Sequence, residues 1–117
     1  MAAEPAEVRR LAAILSYKKD TVVRHDVLTR HAGRITLFAL DAGQEWRGEA
    51  LVGESMVAGL DGEAAVTLTG SPHVLRAGEM LTVPAGIEPL VNATTPFKMM
   101  LVVIEGPDPE GEGPDLE

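Results

Sequence analysis

The chain has 117 residues, no cysteine and a formal net charge of −8 at pH 7, from 18 acids against 10 bases. That length fits one domain with a core of its own, and the lack of cysteine excludes a disulfide framework, a thiolate metal site and a cysteine nucleophile. Five of the acids fall in residues 106–117, so the remainder is only mildly acidic, and no basic stripe suits nucleic acid. No apolar run reaches the roughly 18 residues of a membrane span, and the N-terminus lacks a secretory pattern. These features predict a cytoplasmic protein with no nucleic-acid or membrane partner.

The first fifteen residues predict a short helix: Val8, Leu11, Ala12 and Leu15 fall at helical spacing, and Pro5 suits a first turn. Alone it is marginal, so it must dock on something. From residue 21 the pattern changes to short apolar segments broken by Gly or Pro. Strands are predicted over residues 21–28, 34–40, 49–52, 54–60, 64–68, 73–75, 79–83, 88–93 and 97–105. Residues 34–40 (RITLFAL) are apolar on both parities, as a strand buried on both faces would be. Asp61-Gly62 between apolar runs predicts a hairpin returning along 64–68, and residues 70–72 predict a turn. In 97–105 the parity that avoids Lys98 puts Phe97, Met99 and Leu101 inside. Met100, Val102 and Ile104 are then an apolar outer face suited to a dimer contact, unless the N-terminal helix covers part of it. The series suggests an all-β antiparallel barrel or jelly roll with a short N-terminal helix. Residues 1–19 are read as that helix and its lead-in, and 20–105 as the barrel. Residues 106–117, with three Gly, three Pro and five acids, are read as a disordered acidic tail.

Gly43 and Gly62 stand nineteen residues apart, and Gly78, Pro84 and Gly86 follow as G-x5-P-x-G. With ITLFALDAGQ, DGEAAVTLTGSPHVLRAGEMLTVPAG and PFKMMLVVIE, this frame resembles the small single-domain cupins over roughly residues 20–105. The resemblance implies a double-stranded β-helix, commonly dimeric, whose barrel holds a divalent metal on three His and one Glu. The family's first motif, G-x5-H-x-H-x3-E-x6-G, puts its ligands on Glu49, Leu51 and Ser55 here, with Glu54 one residue early and on the opposite face. The second motif, G-x5-P-x-G-x2-H-x3-N, puts its His on Pro89 and its Asn on Ala93. Leu and Pro side chains have no donor atom, and one carboxylate does not meet the ligand count of a transition-metal site. The chain therefore reads as a homodimeric cupin with a vacated divalent-metal site and no cofactor.

Three functions stay open. In the first, a small apolar or weakly polar ligand sits in the barrel among Leu51, Ser55, Val57, Pro89, Val91 and Met99, with Glu49 as its polar anchor. In the second, those side chains fill the barrel and the protein is structural, its acidic tail tethering a partner. The third is an enzyme of dioxygenase or isomerase type using non-standard ligands. The family's metal-free epimerases pair a His base with a Tyr acid, and the single Tyr here, Tyr17, precedes the first strand. His25, His31 and His73 read as exposed, and His25 and Asp26, as strand neighbours, point to opposite faces and form no dyad. No catalytic residue is assigned. Trp46 and Arg47 precede Glu49, with Trp46 expected at the barrel mouth or in a dimer contact. An open cavity beside Glu49 would favour the first reading over the second.

Overall fold

Short apolar runs bounded by Gly, Pro or polar residues place nine strands among the described residues: β1 (Val22–Arg30), β2 (Gly33–Leu40), β3 (Glu45–Arg47), β4 (Ser55–Asp61), β5 (Glu63–Leu68), β6 (Ser71–Arg76), β7 (Met80–Val83), β8 (Pro89–Ala93) and β9 (Phe97–Ile104). These come from a computed structural model that describes residues 6–105; the acidic segment 106–117, read above as a tail, lies outside them. The strands form a five-stranded sheet, β1-β2-β9-β4-β7, and a four-stranded sheet, β3-β8-β5-β6. Each ladder is antiparallel. Their inner faces share one core that includes Phe38, Leu40, Val57, Val66, Val91, Phe97 and Met99. In β9 the parity is as expected: Phe97, Met99, Leu101 and Val103 are buried, and Lys98, Met100 and Val102 are half-buried on the outside.

Four local expectations change. Among the described residues the expected N-terminal helix is a single 3-10 turn, Leu11–Ala13, with no side-chain cap from Arg10, and its expected first turn at Pro5 lies outside them. Of the expected stripe only Leu15 is buried, while Val8 is fully exposed. Without a cap or a long apolar face, so short a segment gains more from docking Ile14, Leu15 and Tyr17 than from helical turns. The strand expected at 49–52 is absent. Pairing with β8 occurs earlier, at β3, and stops at Gly48, whose N–H donates to the Pro89 carbonyl at 2.8 Å. Asp61-Gly62 does not close a hairpin, because β4 and β5 belong to different sheets. The ladder shifts register between Gly59 and Asp61. Gly62 then takes φ +79° where a Cβ would lie 1.8 Å from the Pro96 carbonyl oxygen. Only glycine passes there, and the chain crosses from one sheet to the other. A true two-residue hairpin lies at Thr69-Gly70 instead, so Ser71 and Pro72 are strand rather than turn. Pro72 is tolerated because β6 is an edge strand.

A second, smaller core covers part of the outer face of the five-stranded sheet. Leu15 packs with Leu37 and Ala39, flanked by Ile14, Tyr17, Leu60 and Met100. The Tyr17 hydroxyl donates to Asp61, and the Lys98 ammonium lies 4.9 Å from the Tyr17 ring centroid. Burial, the Asp61 hydrogen bond and the Asp61 charge together raise the Tyr17 pKa.

Candidate functional site

Register places the inward residues of the five-stranded sheet in rows. Ser55 lies opposite Val103, and Val103 opposite Arg34. The next row runs Val57, Leu101, Thr36 and Asp26, and the third Gly59, Met99, Phe38 and Arg24. The third row is closed by packing: Met99 is fully buried and Phe38 nearly so. Towards the first row the two sheets enclose a cavity of about 170 Å³. Leu101, Val103, Leu51 and Phe38 give it apolar walls, and Trp46 and Pro89 enter from the opposite sheet. The Phe38 and Trp46 rings meet at 4.7 Å between centroids and join the two sheets beside it.

The expected pocket residues divide accordingly. Glu49, Leu51, Ser55 and Pro89 line the cavity, and Glu49 is exposed at its mouth. Val57, Val91 and Met99 are fully buried and do not line it; they belong to the packed core. Glu54 is exposed and Ser55 buried, as strand alternation requires. Trp46 is at the mouth. His31 and His73 are exposed and His25, opposite Leu37, faces outward; none of the three lines the cavity.

Polar groups converge on the mouth. Arg24, Arg34 and Arg47 all line it. Arg34 is the least exposed, at 26% of its side chain, and pairs with Glu105. Arg24 donates from Nε to Asp26 at 3.1 Å and lies 5.8 Å from the Phe38 ring centroid. Arg47 is 3.7 Å from Glu88, both well exposed. The Thr36 hydroxyl donates to Asp26 at 3.0 Å. That bond, and then Arg24, hold the Asp26 carboxyl below its ordinary range. Ser55 is 7% exposed, and its hydroxyl has no hydrogen-bond partner among the described residues. The arginines and Thr36 were not among the expected site residues. Parity carried the signal: Arg34 and Thr36 share the inward face of β2 with Phe38 and Leu40, and Arg24 lies opposite Phe38.

The family's metal does not fit this donor set. Of the residues in its ligand register, Leu51 and Pro89 offer no side-chain donor, Ser55 a neutral hydroxyl and Glu49 one exposed carboxylate. Among the described residues no group of three or more His, Cys, Asp or Glu is placed to hold a metal ion.

The chain is similar to a conserved protein of unknown function from Streptococcus pyogenes, at 31% identity and TM-score 0.82, over 91% of this chain and 93% of that one. It is also similar in fold to a cupin superfamily protein from Desulfitobacterium hafniense, at 21% identity and TM-score 0.81, over 88% and 94% of the two chains. An RmlC-like cupin from Desulfovibrio desulfuricans matches at 21% identity and TM-score 0.75, over 86% and 98%. No protein-family model matches the sequence, and no curated protein does. Among the described residues, no helix is long and apolar enough to cross a membrane.

Proposed function

We propose that this chain, which belongs to the cupin superfamily, binds a compact small molecule in the mouth of its barrel without the family's metal. The observation that supports this is the cavity. Side chains fill the lower rows, but about 170 Å³ stays open beside Glu49, Leu51, Ser55 and Pro89. A cavity of about 150 Å³ accepts benzene, so a ligand of roughly six to ten non-hydrogen atoms is the right size. A wholly filled barrel would leave no such space. No catalytic step is assigned: no histidine reaches the mouth, and Tyr17 lies on the outer face.

A cytoplasmic homodimer completes the reading. The outer-face row Leu28, Ile35, Val102, Met56 is apolar across four strands and lies beyond the patch that Leu15 and Tyr17 cover. Ile104 beside it is 64% exposed. Such a strip supports a contact between sheet faces. Native mass should read a dimer, and Val102→Glu should shift it to a monomer; a wild-type monomer would refute this part.

Binding is tested by a fragment set of that size, read by amide chemical-shift changes on labelled protein. Shifts should cluster at Thr36, Ser55, Leu101 and Val103 and vanish in Leu51→Trp, which fills the mouth. A set that moves none of these amides would return the protein to the filled-barrel reading.

A further inference from the structure

The cavity's charge runs against that of the chain. The protein carries 18 acids and 10 bases, yet three arginines line the mouth and only one carboxylate, Glu49, does. Asp26, Glu105 and Glu88, which pair with those arginines, are not part of the lining. The Arg24 and Arg47 pairs are more than half exposed on both partners, and pairs of that kind contribute little. Arg34 is different. It is the most enclosed of the three, and among the described residues its guanidinium bonds to protein through one nitrogen, Nη1, to Glu105. A guanidinium has five N–H donors in a planar fork that suits a carboxylate. Ser55, in the same row, is more than nine-tenths buried and its hydroxyl is unpartnered among the described residues. A buried hydroxyl without a partner is costly, so a ligand oxygen within reach would be favoured.

Resting on the binding reading above, we infer that the ligand is a small monocarboxylic acid, with its carboxylate held by Arg34 and Ser55 at the mouth. Its apolar body lies against Phe38, Leu51 and Leu101. Thr36 and Arg24 both bond Asp26 at the rim, and within the five-stranded sheet Arg34 is the arginine that shares a row with Ser55. A neutral ligand of the same shape would leave Arg34 and the hydroxyl less well paired.

The test is calorimetric titration of the full chain with benzoate, about nine non-hydrogen atoms and within the cavity's size, against its neutral counterpart benzamide. Benzoate should bind at least about tenfold tighter, the scale of a charge-assisted fork. In Arg34→Gln that preference should fall to roughly threefold or less while the circular-dichroism melt stays that of the wild type, so loss of fold is told apart from loss of charge recognition. In Glu49→Gln, benzoate should bind a few-fold tighter, roughly, because the remaining carboxylate of the lining is neutralised. Equal binding of the two probes, or a preference that survives Arg34→Gln, overturns the inference but leaves the binding reading standing. No binding of either probe overturns the inference too, and a fragment set that is also silent takes the binding reading with it.

Discussion

Replacing Ser55 by alanine should make the protein more stable. Ser55 is 7% exposed as a residue, and its hydroxyl has no protein partner among the described residues. Removing an unsatisfied buried hydroxyl recovers about 1–3 kcal/mol, and the lower end applies because the group borders a cavity rather than solid packing. Truncation opens no new void inside the core, since the lost atom faces space that is already open, so the usual cavity penalty is small. About 1 kcal/mol corresponds to a rise in Tm of roughly 4 °C or more for a domain of about 100 residues. Differential scanning calorimetry of the two proteins without ligand measures it. Most substitutions destabilise, so a rise would be specific to this argument. A fall of more than about 0.5 kcal/mol would mean the hydroxyl is already satisfied, and the case for Ser55 as a ligand contact would go with it. In the presence of benzoate the stabilisation should shrink, because the wild type recovers its bond to the ligand.

Thr69 is a β-branched residue at φ +51° beside Gly70 at +80° in the β5–β6 turn. Thr69→Asn creates the Asn-Gly pair such turns favour and should stabilise by about 1 kcal/mol in urea unfolding, with ligand binding unchanged. The Asp26 carboxyl is held below its ordinary 3.8, first by Thr36 and then by Arg24. Its contribution is therefore present above that value and lost as pH falls through the lower folded one. Thr36→Val should flatten stability between pH 5 and 2 in chemical unfolding, and an unchanged acid limb would contradict the role given to that bond. Tyr17 is raised by burial and by Asp61, so its share of stability is complete below pH 10 and declines above it. Tyr17→Phe should remove that alkaline decline, followed by tryptophan fluorescence of Trp46 against pH.

Most of the strand series was legible because Gly and Pro bound each apolar run, and because strand parity is strict where one face is buried. The inward set Phe97, Met99 and Leu101 followed from one charged residue, Lys98, that had to face out. The four glycines behind the resemblance, Gly43, Gly62, Gly78 and Gly86, all have φ between +79° and +87°. Their positions are backbone requirements, which is why they are readable without any partner in view. What escaped was what depends on partners. Asp61-Gly62 has the local chemistry of a hairpin, yet the following strand finds β6 and β8 in the other sheet. The stretch 49–52 is apolar enough for a strand, but Gly48, wedged against Pro89 and Trp46, ends the ladder before it. Arg34 opens an apolar run and looks like its polar flank; only cross-strand register reveals that it stands in line with Ser55. Leu51, Ser55 and Pro89 were found because their positions in a motif were known, whereas Val57, Val91 and Met99 are fully buried in the packed core.

The row arrangement has a consequence for how this barrel can be altered. Arg34, Val103 and Ser55 form one rung near the strand ends, and the residues that carry the fold occupy the rungs beneath. β1, β4 and β8 each lend the mouth one position, β3 and β9 two and β2 three, so substitutions there change what the opening recognises while leaving the ladder below intact. A combinatorial library confined to positions 34, 47, 49, 51 and 55 would sample new ligand chemistries on a scaffold whose folding is decided elsewhere. Randomising 57, 91 and 99 would return mostly chains that no longer fold.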